Sequence, residues 1–549
     1  MITSPSSAEP HPLLTDEQVR AYIANGYIKI ETPSVPAQVH AAIAGKLDRM
    51  LELGPNLGNN VLPHTPEFRH VLNCPEVRGA LTSLLGEDYI EHPHRYCHNS
   101  SPAEEKPEDM VAAVGKRAHQ DSYTPMGQPR QHLPRFARII YYPQDTPIEL
   151  GPTHVTPGTA LHQRVTDEDR ANSTPMLGAA GSLWITHFDV VHAAGINLTD
   201  AVRQMIKFIY VQRNERTAPT WNCVDDRWSN PHDLQSPWDL EIAWSQTWDW
   251  MCGKRDRYQS FRLNHGAKAT GDVAEWAQSL DPERPLDEQL AAIRQLAALG
   301  ADASEAVPAL MALLNQDHQA ARAAATYSLG AIGEAAVSPL IERLKEAGEK
   351  GWEDQAPCWS EGSVTMMDEA HALAAIGTPA VAALIELVDT AGEWGRLNAA
   401  FALGEMDSKA AEAVAALTRC LEDDSHRIVR TALDALGTIG GDAASAVPRM
   451  ARLLSESRSE WEEVLTGKRR WIARDQVRVN VAEAIGRLGS QAMAAEEALI
   501  GALDDECGYV SLYATDALRN LGTPRGRQAV MDLVMAQRWD CSLYDTRPW

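Results

Sequence analysis

The stretch KRAHQDSY, residues 116–123, sets His119 and Asp121 two positions apart. In an extended segment side chains alternate between faces, so these two share one. An imidazole and a carboxylate then stand side by side. Two histidines and one carboxylate on one side of an octahedral ion form the facial triad of non-haem Fe(II) oxygenases, which leaves positions open for cosubstrate and dioxygen. The stretch therefore asks for a second histidine further along. A rival pair of the same form, His187 and Asp189, occurs in THFD.

Around the stretch, from about 88 to 215, short apolar runs alternate with Gly, Pro and Asn. FARIIYY (136–142), GSLWIT (181–186) and VRQMIKFIYVQ (202–212) are the clearest. Several short strands of this kind predict a sandwich or jelly roll. In GSLWITHFDVVHAAGINLTDAVRQMIKF (181–208) a strand is expected to run to His192. A turn with Gly195, Asn197 and Asp200 follows, and Arg203 opens the next strand. A planar, permanently charged guanidinium takes a carboxylate bidentately. A metal triad with such an arginine nearby suits 2-oxoglutarate, whose keto-acid end can chelate Fe(II) while its far carboxylate pairs with Arg203. His192 lies 11 residues before Arg203 and His187 lies 16 before it, with opposite parity, and His192 is preferred. The rival pair would need its own later histidine and arginine, and His232 and His265 sit in no comparable strand.

At 549 residues the chain exceeds one core. Its 50 basic and 75 acidic residues leave a net charge of -25, which argues against nucleic acid or an anionic membrane as partner. No run of about 18 apolar residues occurs, so no membrane span is expected. The 8 cysteines are scattered without a CxxC pair, and the first residues lack a basic segment followed by an apolar run. A reduced, cytoplasmic setting is the expectation. Residues 1–12 are Ser/Pro-rich and expected to be disordered. A helix should start at Thr15 and end at Gly26, followed by the strand YIKIE (27–31) and a helix over 36–53.

Residues 215–265 are dense in tryptophan (221, 228, 238, 244, 248 and 250), which reads as a packing layer between domains. Residues 266–285 read as a linker with a short helix. From 286 the chain becomes rich in Ala and Leu and repeats itself. The units end at Gly300, Gly333, Gly377, Asp407, Gly440, Gly489 and Gly522. A spacing near 30–33 with two insertions, near 350–367 and 455–474, predicts an α-solenoid of helix pairs. Arg322, Arg396 and Arg478 recur in register, predicting ion pairs along the stack. The pattern resembles HEAT repeats of the phycobilisome-lyase type, which implies a protein partner carried by the repeats.

The first half resembles the phytanoyl-CoA dioxygenase family of Fe(II)/2-oxoglutarate oxygenases. LLTDEQVRAYIANGYIKIE, HQDSY (119–123), ELGPTHVTPGT (149–159) and HAAGINLTDAVR (192–203) carry the resemblance in that order over about 13–215. It implies a double-stranded β-helix (jelly roll, cupin-like) with flanking helices. It also implies Fe(II) on His119, Asp121 and His192, the 2-oxoglutarate carboxylate on Arg203, and dioxygen as oxidant. The expected reaction oxidises an unactivated C–H of a small organic substrate, typically by hydroxylation, with release of succinate and CO2. Retention of Asp121 speaks against a halogenating variant. The sequence departs from the family at Ala194, where a hydroxyl residue is usual, and at Gly158-Thr159-Ala160, which lacks a histidine that His162 could replace. Tyr123, Arg138 and Tyr142 are candidate substrate residues, Arg138 and Tyr142 sharing a face by parity, and His94 and His98 are candidates for the mouth. The same chemistry on a protein or carrier-bound substrate recruited by the repeats, or a non-catalytic scaffold, are the other readings. The expected domains are the oxygenase over 13–265, a linker over 266–285 and the solenoid over 286–549.

Overall fold

The computed structural model describes residues 11–53, 56–121, 130–266, 269, 271–350, 364–462, 464–466 and 471–538. Most of the stretch 1–12 expected to be disordered, most of the first insertion, and Lys468, Arg469 and Arg470 of the second lie outside them. The first helix, Asp16–Asn25, is closed at its start by a capping box: the Thr15 hydroxyl accepts from the Gln18 N–H, and the Gln18 side chain accepts from the Thr15 N–H. It stops at Gly26 (φ 83), where a Cβ would meet Val190 Cγ2 at 3.1 Å. Glycine thus allows the turn into β1 (Tyr27–Ile30) to pass directly beneath the segment that leads to His192.

The strands are β1, β2 (Ile90–Ser100), β3 (Phe136–Tyr141), β4 (Thr153–Val155), β5 (Thr174–Pro175), β6 (Leu183–His187), β7 (His192–Ala194) and β8 (Arg203–Val211). All pairings among them are antiparallel, in a five-stranded sheet ordered β1-β6-β3-β8-β2 and a three-stranded sheet ordered β5-β4-β7. Together the sheets form the expected double-stranded β-helix, with Tyr27, Ile140, Tyr142, Val155, Met176, Val190 and Met205 clustered in its interior.

One expectation needs correction. The strand of the GSLWIT stretch does not run on to His192. β6 ends at His187, and the chain crosses to the smaller sheet before β7 begins. The crossover is held by Asp189, whose buried carboxylate accepts from the Arg130 N–H (3.0 Å), Arg130 Nη1 (3.0 Å) and the Gln131 N–H (3.2 Å). Alternation along a single strand therefore does not relate His187 to His192.

Beyond the sheets, all six tryptophans of 215–265 are buried. Trp248 meets Trp221 and Trp228 edge to face, and Trp244 lies tilted against Trp228. They share one continuous core with the outer face of the large sheet and with the repeats. Within the linker stretch, Val273–Gln278 is helical and packs on Leu286–Leu299. The helices Leu286–Leu299, Gln319–Ile332, Asp368–Ile376, Glu393–Glu405, His426–Ile439, Ala473–Leu488 and Gly508–Leu521 supply the repeating core. Gly300, Gly333, Gly377, Gly440 and Gly489 end five of them with φ between 56 and 86 and ψ near −130, a region open only to glycine. Asp407, at the equivalent point of its unit, also takes a positive φ of 53. The predicted ladder is present: Arg322–Asp368 (2.6 Å), Arg396–Asp423 (2.7 Å) and Arg478–Asp505 (2.5 Å) each tie one unit to the next. Leu286–Leu313 is apolar and long enough to span a membrane by composition, but Gly300 breaks it and half of it is buried in the stack.

The solenoid grips the sheets through buried polar contacts. Arg135 pairs with both Glu215 (2.7 Å) and Glu405. Arg213 pairs with Asp516 (2.5 Å), and His371 Nε2 hydrogen-bonds the Arg130 carbonyl (2.8 Å).

Candidate metal centre

His119 and His192 come from different parts of the chain and meet as a backbone pair. Each donates its N–H to the other's carbonyl at 3.0 Å, and the ring centroids lie 4.4 Å apart. Each ring is oriented by the carbonyl two residues before it: His119 Nδ1 is 2.9 Å from the Arg117 oxygen and His192 Nδ1 3.1 Å from the Val190 oxygen. With Nδ1–H donated to the backbone, Nε2 is the lone-pair nitrogen in both, the arrangement that fixes the tautomer of a metal-ligating histidine. Asp121, buried on the next alternate position, completes the group, and one ligand atom from each of the three lies within 4.8 Å of the others. Two imidazole nitrogens and one carboxylate oxygen, all offered to one point, fit a non-haem Fe(II) ion with open positions.

The walls come from the large sheet. Arg138, 1% exposed, places Nη1 2.8 Å from His192 Nε2 and 3.4 Å from Asp121 Oδ2, while Nη2 donates to the Phe188 carbonyl. Lys207 Nζ approaches Asp121 Oδ2 to 3.7 Å. Burial alone would raise the Asp121 pKa, but the Lys207 and Arg138 cations outweigh it and hold the carboxyl well below the usual carboxylate range. Burial, reinforced by Arg138, lowers His192 well below an ordinary imidazole, which favours the neutral ring that a metal requires. Arg203 is 2% exposed, and its Nε and Nη1 have no hydrogen-bond partner among the described residues. A buried guanidinium with open donors is fitted to receive a carboxylate.

Arg138, Ile140 and Tyr142 do share a face, and it is the inner one. The Tyr142 hydroxyl accepts from the Thr153 N–H (2.9 Å) at the Arg203 end, so Tyr142 serves the floor and not the mouth. Tyr123 lies outside the described residues. The rival HxD is structural, since Asp189 is consumed by Arg130 and the crossover. His162 is buried against Asp169 (3.1 Å) and Trp238. His94 hydrogen-bonds Tyr509 of the solenoid (3.3 Å). His98 instead faces the site: burial lowers its pKa to about 3, and Lys207, Asp121, Arg203 and Arg138 all act on it. Sequence reading missed Lys207, although its signal was available. In VRQMIKFIYVQ it shares strand parity with Arg203, two alternations on.

Residues 47–205 match the family described as phytanoyl-CoA dioxygenase (PhyH), and residues 273–351 and 381–463 match HEAT repeats. The break between the two HEAT matches coincides with the first insertion. No curated protein matches the sequence. Among solved structures, the chain is similar to the non-heme alpha ketoglutarate dependent carbocyclase SnoK from nogalamycin biosynthesis (21% identity, 38% of this chain and 88% of that one, TM-score 0.29). It is also similar to the epimerase SnoN of the same biosynthesis (15%, 41% and 94%, 0.29) and to apo HygX from Streptomyces hygroscopicus (12%, 36% and 87%, 0.29). The chain thus carries a phytanoyl-CoA dioxygenase domain, and with it the chemistry of a non-haem iron, 2-oxoglutarate-dependent oxygenase, joined to a solenoid of HEAT repeats.

Proposed function

We propose that the protein is an Fe(II)- and 2-oxoglutarate-dependent dioxygenase that hydroxylates, or otherwise oxidises, an unactivated C–H of a small organic substrate, releasing succinate and CO2. The observation that carries this reading is the convergence of His119, Asp121 and His192 on one point, with the buried, open-handed Arg203 in the same barrel. His119, Asp121 and His192 would hold Fe(II), and Arg203 would hold the far carboxylate of 2-oxoglutarate. The bound metal and cosubstrate supply dioxygen activation. The chain's own part is positional. The Arg117 and Val190 carbonyls fix the two imidazoles, Tyr142 closes the floor, and the buried walls exclude bulk water from the reacting C–H.

A small substrate is favoured over a macromolecule because the inner-wall residues Arg138, Tyr142 and Arg203 are at most 2% exposed. The large groove of about 1320 Å³ between the sheets' C-terminal flank and the repeats is lined by none of the triad, nor by Arg203. In this reading 13–265 is the oxygenase, and the solenoid is a structural or docking module. Anaerobic addition of Fe(II) and 2-oxoglutarate should produce a weak visible charge-transfer band, lost in His192→Ala. A wild-type protein that shows no band, and forms no succinate in air, would sink the proposal.

A further inference from the structure

The groove of about 1320 Å³ beside the repeats is basic, in a chain whose net charge is -25. Eight cationic and three acidic side chains line it. All three acids are already matched: Glu215 by Arg135 (2.7 Å), Asp256 by Arg262 (2.6 Å) and Asp407 by Arg257 (3.7 Å). Three further cations are matched from outside the lining, Arg213 by Asp516 (2.5 Å), Lys254 by Asp249 (3.0 Å) and Arg487 by Glu483. Arg216, Arg255 and Lys409 have no carboxylate within ion-pair reach among the described residues. Arg216 donates to neutral acceptors alone, on Gln212, Ser83, Thr220 and Leu84.

A cation can serve a solenoid by capping the carbonyl ends of its helices. Arg257 does so, donating to the Glu405 carbonyl (2.6 Å), and Arg213 reaches that of Gly486 (3.5 Å). Arg255 and Lys409 are not used in this way. The Arg255 side chain is exposed and makes no hydrogen bond or ion pair among the described residues. Lys409 Nζ donates to the Arg255 carbonyl (3.1 Å), which leaves two of its three protons open. Burial, with the Arg257 and Arg255 cations, lowers the Lys409 ammonium despite Asp407, so the local field is positive. The two residues meet at the repeat turn where Asp407 stands in place of glycine.

We propose that this groove binds an acidic segment of a partner protein in extended form, with Arg216, Arg255 and Lys409 as its anchors. Neither metal nor cosubstrate is needed for that binding. The groove follows five consecutive repeat turns, from Gly300 through Gly333, Gly377 and Asp407 to Gly440. Helices pack about 8–10 Å apart, so four steps make it roughly 32–40 Å long. At about 3.3 Å per residue, that length takes roughly 10 to 12 extended residues. A cleft lined by one sign of charge focuses the field and concentrates chains of the opposite sign. A peptide is favoured over a nucleic acid, because Trp250 and Tyr258, the aromatics of the lining, are buried and present no ring for a base to stack on.

The test uses the full chain and the fluorescence anisotropy of labelled probes of about twelve residues at low salt. The probes are a Glu/Ser peptide, its Gln/Ser counterpart and an oligo(dT) of equal length. Expected is saturable binding of the Glu/Ser peptide, with the other two at least tenfold weaker. The double variant Arg255→Gln, Lys409→Gln should weaken the Glu/Ser peptide tenfold or more. Arg255→Lys, Lys409→Arg should retain binding, which separates loss of charge from misfolding. Lys345→Gln, Arg419→Gln removes the same charge from exposed sites outside the groove and should leave affinity within threefold. The proposal is overturned if wild type does not bind the Glu/Ser peptide, or binds oligo(dT) as tightly. It is equally overturned if the groove variant loses no more affinity than the outside control. Displacement of the peptide by an equal concentration of citrate would assign the groove to a compact polyacid and overturn the extended occupant.

Discussion

Arg135 is the sharpest point at which to ask whether the two halves of this protein are one folding unit. It leaves the start of β3, is 3% exposed at the side chain, and donates to Glu215 through Nε (2.7 Å) and Nη2 (3.2 Å) and to Glu405 of the solenoid through Nη1. Its guanidinium also lies 5.1 Å from the centroid of a Trp250 ring. Arg135→Ala would leave two carboxylates in the interface without their shared cation. Removing one partner of a buried pair costs about 3–5 kcal/mol. With an unfolding entropy of about 2.1 cal/mol/K per residue, the whole 549-residue chain melts with about 1.2 kcal/mol/K, so Tm should fall by about 3 to 4 °C. If the oxygenase half unfolded alone, its smaller entropy would turn the same loss into a fall of about 6 to 9 °C. The solenoid transition would then stay in place. Differential scanning calorimetry, followed in parallel by tryptophan fluorescence from the buried layer, distinguishes the two. A shift below about 1 °C, or a separate low-temperature peak that alone moves, would refute the continuous core.

Further expectations follow from the site and its supports. Arg203→Ala should raise the dissociation constant of 2-oxoglutarate by about 10- to 150-fold, the loss of about 1.5–3 kcal/mol for hydrogen bonds to a charged group, while leaving metal stoichiometry at one. Calorimetry with Mn(II) checks it, and an unchanged affinity would remove Arg203 from the cosubstrate site. Asp189→Ala should cost about 3–5 kcal/mol of stability by stranding Arg130 but still bind metal, whereas Asp121→Ala should lose the metal. Metal loss in both would mean that the THFD pair ligates after all. His371 is buried against the oxygenase half, and burial lowers its pKa from 6.5 to about 4. The folded protein therefore binds fewer protons than the unfolded chain between those values. Stability is complete above pH 6.5 and falls by about 1.4 kcal/mol per pH unit toward pH 4. Urea midpoints at pH 7, 6 and 5 should decline, less steeply in His371→Asn, and a flat profile would exclude the contribution.

Much of this arrangement is local and was legible in one dimension. The Thr15 capping box, the glycine-terminated repeats and the Ala/Leu periodicity all depend on neighbours in the chain, so composition and spacing reveal them. Even Asp407 could be assigned to a glycine position, because aspartate tolerates the positive φ that the repeat demands there. His119, Asp121, His192 and Arg203 could be nominated because their order and spacing leave few alternatives.

What one dimension could not decide is where buried charges find their partners. That depends on which strands become neighbours. The crossover after His187 is set by Arg130, 59 residues before its partner Asp189, and not by any signal in THFD itself. Whether Arg138 faced in or out was undetermined by parity, since alternation defines two faces without saying which is the interior. Only the pairing of β3 with β6 and β8 turned it toward Asp121. The same pairing brought Lys207 beside the HQD motif, and packing of the repeats turned a histidine-rich edge into an interface. Sequence alone determined the elements, the repeat and the candidate ligands, because these follow from local backbone preference and side-chain period. Tertiary structure decided which charges face the triad, because that is a property of how distant strands pair and of every strand that walls the enclosed space.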